Sequence, residues 1–333
     1  MNITLYAICK NEEENVEKFI ENSKKFYDTV VVDTGSTDNT VQLLRDAGIT
    51  VYEHPQSREE FDFSVARNQA LSYVKTDWAF SLDFNEVVED FAPEEMDLIS
   101  EDFTAFRHRR FDINDGSEKE SMQVHVRFHK TKNYFWENAV HEAPAFIKDE
   151  LHEKENVLDT KITIKKTILE SVDKQLFYFS ICERELEKDP LNCYYLAFIV
   201  KHYFNTSNYT KFFESAQKYL DISSYKSYFD AFRVEALVHS SIVIYQKDKQ
   251  ASLNFAIHAI SESLNIQMRD PKVGDHLVDM AIRNLIHLSK DLNDPNIFLF
   301  ATSYFRDTDN VGEFAIPRKR AIHELYAKLC DED

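Results

Sequence analysis

The sequence predicts an α/β domain built on a mostly parallel, helix-covered sheet and, after it, an all-helical domain. Three observations carry that prediction. From Asn2 to Phe84, β-branched or apolar runs alternate with helix-length amphipathic segments, the pattern of βαβ units. Four short signals, KNEEEN, VVVDTGSTDNT, FSVARNQAL and WAFSLDFNE, each fall where a strand meets a helix. A parallel sheet would gather all four at the carboxyl ends of its strands, where ligands bind. After Lys166 the pattern turns helical to the C-terminus, which sets the domains at residues 1–165 and 166–333.

The elements follow in order. NITLYAI reads as a buried strand, and Val16, Phe19, Ile20, Ser23 and Tyr27 fall near helical spacing in the segment after it. TVVVD is a second strand ending at Asp33, followed by a helix opened by Ser36 or Thr37 as N-cap and closed by Gly48. ITVYEHP is the third strand, SVARNQALSYV a helix, and WAFSLDF a fourth strand ending in acidic residues. From about residue 103 to 165 strands with long turns replace the alternation: TAFRHRRFDI, a turn at Asp115 and Gly116, MQVHVRFHK, YFWENAVHEAPAFI and KITIKK. These read as the antiparallel end of the sheet and the loops that cover a site. DKQLFYFSICERELEKD, CYYLAFIVKHYF, YTKFFESAQKYL, FRVEALVHSSIVIYQ, ASLNFAIHAISESL, HLVDMAIRNLIHLSK and RKRAIHELYAKL then carry apolar residues at helical spacing. Two of the helix-turn-helix stretches lie about forty residues apart, a weak repeat resembling tetratricopeptide-type hairpins.

Composition narrows the function. With 43% hydrophobic and 13% aromatic residues the 333-residue chain is expected to fold throughout, as two domains. A formal charge of -19 repels polyanions, so a broad footprint for nucleic acid or an anionic membrane is not expected. The basic run FRHRRF, with Arg107, His108, Arg109 and Arg110, reads as a solvated hairpin face. Cys9, Cys182, Cys193 and Cys330 lack metal or disulfide-framework spacing and read as buried thiols of a reducing compartment. No segment reaches the roughly 20 apolar residues of a membrane span, and YYLAFIV reads as a core helix, so a cytoplasmic protein is expected. The five glycines form neither GxGxxG after the first strand nor GxxxxGK[ST]. Dinucleotide and P-loop readings therefore fail on the residues they need.

Five matches now stand in register over roughly residues 3 to 145: the strand before KNEE, VVVDTGSTDNT, the ARN helix, D-W-x-x-x-L-D-x-x-E, and R-F followed by WENAVHE. Together they resemble a family 2 glycosyltransferase of GT-A fold, in the bacterial and phage subgroup that carries C-terminal tetratricopeptide-like helices. The resemblance implies a Rossmann-like nucleotide-diphospho-sugar transferase domain, an inverting reaction, Mn2+ or Mg2+, and a nucleotide-sugar donor, with a UDP-sugar expected. Asp33 is implied to accept from the base or ribose, although Asp33 to Asp38 taken alone read as turn and cap residues. Glu12 is implied on the nucleotide too, beside its plain reading as an acid near a helix start. Arg67 is implied to reach the nucleotide or its phosphates, where a guanidinium fork suits the oxygens, and Asn68 to support the same loop.

Asp83, Phe84, Asn85 and Glu86 stand where the family has D-x-D-E, the segment that holds a hard cation against the diphosphate. Asn85 replaces the second acid, and an amide oxygen brings no charge, so Asp83 must contribute more. Glu142 is implied as general base for the acceptor hydroxyl or thiol, and His141 as a metal or phosphate ligand, against the plain reading of a structural His-Glu pair. Trp136 either stacks on a sugar or fills core. A further family histidine is absent, since ITIKK offers Lys165 and Lys166 there. The acceptor stays open among glycan, peptide, lipid-linked glycan and modified base, and the helices offer an acceptor groove or a homodimer surface. Two rivals remain: a catalytically weak nucleotide-binding scaffold whose helices bind a protein, and a transferase acting on modified bases of phage DNA.

Overall fold

Parallel pairing organises the first part of the molecule. The computed structural model describes residues 1–93, 102–114, 116–120, 125–150, 152–168, 171–223, 230–269 and 271–292. It divides into two compact units, Met1–Ile181 and a second that begins at Cys182.

In the first unit β1 (Ile3–Cys9) lies between β2 (Asp28–Asp33) and β4 (Trp78–Ser81), parallel to both, and β3 (Thr50–Glu53) extends the sheet beyond β2. Antiparallel pairing then takes over: β8 (His125–Lys130) joins β4, and β6 (Ala105–Asn114) joins β8. β11 (Val157–Thr167) runs parallel to β6, and β5 (Glu86–Glu89) closes the edge antiparallel to β11. The order β3-β2-β1-β4-β8-β6-β11-β5, with β7 (Ser117–Glu120) hanging on β6, fits the predicted mixed sheet. A separate two-stranded sheet pairs β9 (Tyr134–Glu137) with β10 (Ala143–Phe146).

β1 is a near-continuous apolar run because both faces of the sheet are covered. On one face Leu5, Phe80, Phe106 and Phe128 pack with Phe19 of α1 (Val16–Ser23). On the other, Tyr6 and Val32 pack with Ala70 and Leu71 of α3 (Phe63–Ser72) and with Trp136. Each fully buried phenylalanine contributes about 1.5–3 kcal/mol by leaving water. Such packing fixes the strand ends on which the site is built.

Three local expectations are corrected. α1 stops at Ser23 and leaves Tyr27 69% exposed, because the chain must turn into β2 and Phe26 takes the place against Phe80. The helix after β2 is α2 (Thr40–Asp46), which starts beyond Ser36 and Thr37 and ends, as expected, where Gly48 adopts φ +80°. YFWENAVHEAPAFI is two strands, with the loop between them carrying His141 and Glu142.

α4 (Val172–Lys188) begins in the first unit. The second unit is all-helical over its described residues: α5 (Cys193–Asn205), α6 (Tyr209–Ser223), α7 (Asp230–Ile244), α8 (Lys249–Arg269) and α9 (Pro271–Leu292). Leu196, Val200, Phe212 and Tyr219 form one core, and Leu237, Ala256, Ile260, Ile282 and Leu285 another. Small residues bring α7 and α8 together, where Ser241 and Ser252 each donate a hydroxyl to the other's carbonyl. YYLAFIV is core within α5, and no described helix is long and apolar enough to cross a membrane. Cys9, Cys182 and Cys193 are buried free thiols. The RKRAIHELYAKL segment and Cys330 lie outside the described residues.

Candidate active site

Two of the four sequence signals meet through their loops at the ends of β1 and β2. Asp33 turns its carboxylate inward, accepting the backbone N–H of Gly35 at 3.0 Å, that of Ser36 at 3.0 Å, and the Ser36 hydroxyl. Gly35 sits at φ +110°, a conformation that excludes ordinary side chains. Asn11, itself at φ +55°, donates its backbone N–H to the Ser36 hydroxyl and accepts the Thr37 N–H at 2.7 Å. These contacts explain why Ser36 and Thr37 do not cap α2: their polar groups are taken by the neighbouring loop. Glu12 is half-buried and accepts from the Asn15 amide at 2.8 Å. Burial pushes its carboxyl upward against that hydrogen bond, and the nearby charge of Asp83 adds to the rise.

Arg67 is the centre of the site. α3 places it one turn into a helix capped by Asp62, whose carboxylate accepts the Val65 N–H at 3.0 Å. The buried guanidinium donates to Glu142 Oε1 at 2.6 Å, to Asp83 Oδ1 at 2.7 Å and to Ser81 Oγ at 3.2 Å, with its carbon 4.7 Å from the centre of the Trp136 ring. One arginine thus ties the end of β4 to the loop between β9 and β10. Asn68 secures the same loop from behind by exchanging two hydrogen bonds with the Trp136 backbone, at 2.8 and 2.7 Å. The Trp136 indole N–H donates to the Tyr6 hydroxyl at 2.9 Å, so this ring fills core and backs Arg67. Burial pushes the Tyr6 phenol up to about 12 and the adjoining His129 down to about 4, leaving both neutral.

Two cations with no assigned role in the sequence reading complete the cluster. Lys166, at the end of β11, stands opposite Glu86 of β5 in the strand register. Its ammonium lies 2.8 Å from Asp83 Oδ2 and 3.2 Å from Glu86 Oε1. Arg127 of β8 lies 3.4 Å from Asp83 Oδ1 and 3.6 Å from Glu86 Oε1. Burial alone would raise the Asp83 carboxyl, but Lys166, Arg67 and Arg127 together hold it well below the usual carboxylate range. Arg127 has a sequence signal of its own, a charged residue on a strand buried between sheet neighbours.

The expected metal ligands do not assemble. Asn85 donates its amide to the Thr167 carbonyl at 2.8 Å and accepts the Thr167 N–H on its main-chain oxygen at 3.0 Å, so its side chain belongs to the sheet edge. Both oxygens of Asp83 face cations, and Glu86 Oε2 accepts the Asp83 N–H at 2.9 Å. His141, at φ +57°, packs edge-on to Tyr178 at 5.5 Å. Among the described residues no group of three or more His, Cys, Asp and Glu side chains is arranged to hold a metal ion. Asp83, Asn85 and His141 therefore do not fit a divalent cation as a ligand set. Arg67, Asp83 and Glu142 are brought together; Asp33, Asn68 and Asn85 brace the loops; His141 packs against the Tyr178 ring.

The first turns of α4 wall this side of the site. Arg58 pairs with Asp173 at 2.9 Å, Phe61 meets Phe177, and Phe63 meets Tyr178 edge-on at 5.5 Å. Burial and the nearby charges of Glu142 and Asp83 push the Tyr178 phenol upward. The FRHRRF arginines are each paired, Arg107 with Asp159, Arg109 with Glu120 and Arg110 with Asp112.

Residues 4–147 match the sequence model of glycosyl transferase family 2. The SPbeta prophage-derived glycosyltransferase SunS of Bacillus subtilis (strain 168) and the glycosyltransferase SunS of Bacillus phage SPbeta are each 30% identical over 82 residues, 24% of this chain. The matched segment spans only 19% of the length of those curated relatives. Among solved structures, S. aureus TarS 1-349 in complex with UDP-GlcNAc aligns over 84% of this chain and 90% of its own, at 13% identity and a TM-score of 0.40. Glucosyl-3-phosphoglycerate synthase from Mycobacterium tuberculosis aligns over 33% of this chain and 44% of its own, at 19% identity and a TM-score of 0.27.

Proposed function

We propose that residues 4–147, which match the sequence model of glycosyl transferase family 2, form a GT-A domain, and that the protein moves a sugar from a nucleoside diphosphate donor to an acceptor hydroxyl or thiol with inversion. The observation that carries the proposal is the chain of contacts Glu142–Arg67–Asp83 at the carboxyl end of the parallel strands. A UDP-sugar is the donor class to try first. In this reading the loops at Glu12 and Asp33 receive the nucleoside, and Arg67 orients the groups that flank the donor.

The reaction is a single displacement. The acceptor oxygen or sulfur forms a bond to the anomeric carbon as the bond from that carbon to the diphosphate oxygen breaks. The acceptor's proton passes to Glu142, the general base, and the nucleoside diphosphate leaves with the electron pair. Arg67 holds one Glu142 oxygen and leaves the other for that proton. The wall of Tyr178 and Phe63 limits water, which would otherwise compete as acceptor. The helical unit is our candidate for holding the acceptor or a second copy of the chain, with an origin in tetratricopeptide-like pairs. A DNA acceptor gains no support from the paired FRHRRF arginines.

Release of nucleoside diphosphate from a panel of nucleotide sugars tests the proposal. Turnover of one donor, lost in Asp83→Ala and in Glu142→Gln, is the expected result. Asn85's engagement with Thr167 favours one rival, the idle nucleotide-binding scaffold, and binding without turnover of any donor would establish that rival instead.

A further inference from the structure

The misfit at Asp83 has a direction. A divalent cation is useful beside a departing diphosphate because it places positive charge on oxygens that are gaining negative charge. In this chain an ammonium already sits between the two carboxylates of the D-F-N-E segment, 2.8 Å from Asp83 and 3.2 Å from Glu86. A second cation, Arg127, meets the same two acids from β8. Neither is an accident of a surface rotamer. Lys166 is fixed by the pairing of β11 with β5, which sets it opposite Glu86, and its side chain is 17% exposed, against 11% for Arg127.

We propose that Lys166, with Arg127 behind it, takes the place of a divalent cation against the donor diphosphate, so that this chain binds nucleoside diphosphates without metal. The inference rests on the transferase reading and deepens it. The residue at position 85 is part of the same device. Its amide donates to the Thr167 carbonyl, one residue past Lys166, and so helps to hold the end of β11 where the ammonium meets Asp83. A carboxylate at position 85 has no proton to donate there and would face the Thr167 oxygen with like charge. Asn85 is thus matched to Lys166: the amide removes a negative ligand and seats the cation that replaces the metal. Asp83 and Glu86 keep the ammonium ionised and aimed, and a phosphate oxygen arriving at the site meets charge that needs no further ion. The ammonium is a compact point charge with three donors, suited to an oxygen whose exact angle changes as the diphosphate leaves.

The test is calorimetric titration of the full chain with UDP, GDP, CDP and TDP, once in excess EDTA and once in Mn2+, for the wild type and for Lys166→Ala, Lys165→Ala and Asn85→Asp combined with Lys166→Ala. Lys165 lies on the same strand but pairs with Glu89 and Glu118, so Lys165→Ala controls for damage to β11, and circular dichroism confirms folding of each variant. The expected result is binding of one nucleotide in EDTA within threefold of its affinity in Mn2+. Lys166→Ala should weaken it at least tenfold while Lys165→Ala leaves it unchanged, and the double variant should bind only when Mn2+ is present. Binding that requires Mn2+ in the wild type, or that Lys166→Ala leaves intact, overturns the metal replacement and keeps the transferase reading. Failure of every nucleotide in both conditions overturns the transferase reading and this inference with it.

Discussion

Each unit buries an arginine, and the two are treated differently. In the second unit Arg233 closes on itself: its fork meets both oxygens of Glu262 at 3.0 and 2.7 Å, and its remaining nitrogen donates to the Leu220 carbonyl and the Ser223 hydroxyl. One carboxylate, one carbonyl and one hydroxyl meet the guanidinium, and His258 Nε2 lies 3.1 Å from the same carboxylate. In the first unit Arg67 shares its anions. Asp83 is contacted also by Arg127 and Lys166, and both of those reach Glu86. A closed pair is a structural device; a set of three cations and three carboxylates in shared contact is, on the proposed reading, the charge reservoir that an incoming diphosphate re-partitions.

That contrast is broken or sharpened most strongly at the site. Asp83→Ala should lower donor turnover by about a thousandfold or more, the size expected when preorganised charge is lost from a reacting centre, measured as nucleotide release at saturating donor. Glu142→Gln should lower kcat by about 10²–10⁴-fold, the range of a lost general base, with the donor KM nearly unchanged. Arg233→Ala should do the reverse. It strips the charged fork from half-buried Glu262, which keeps only His258 at 3.1 Å, and should cost about 1.5–3 kcal/mol of stability, read by denaturant unfolding, with nucleotide affinity intact.

A smaller effect appears with pH, and both units contribute to it. Burial pushes His129 down to about 4 and His108 down to about 3 in the first unit, and His239 down to about 4 in the second. Their folded values lie below the unfolded value of about 6.5, so in that window the unfolded chain binds the extra protons. Stability is then fully present above about pH 6.5 and falls with pH below it, by up to about 1.4 kcal/mol per pH unit for each histidine. His129→Gln should flatten this acid limb in pH-dependent unfolding. Smallest of all, Asn68→Ala should cost about 1–3 kcal/mol by leaving the Trp136 backbone unpaired, and should raise the donor KM more than it lowers kcat.

What could be read from the sequence follows chain locality. Asp83, Arg67 and Glu142 each sit in a short string that carries the family resemblance, and the structure joins them by ion pairs. The alternation of strands and helices that predicted the parallel sheet is likewise local. Lys166 was visible as a replacement, but its pairing with Asp83 depends on the register of β11 against β5, and β5 itself is four residues, EVVE, with no turn signal to announce it. Ser36 and Thr37 misled for the same reason in reverse. Their propensity to cap a helix is real, and it lost to Asn11, which reaches them from the loop after β1.

On the proposed function four loops of the first unit form one nucleotide site, and hydrogen exchange with and without saturating UDP-sugar reads all four at once. Protection should appear together over residues 11–15, 33–40, 83–89 and 138–142, with the described helices α5 to α9 unchanged. Protection confined to the helical unit, or the absence of protection with every nucleotide sugar tried, would mean that these loops do not form a nucleotide site.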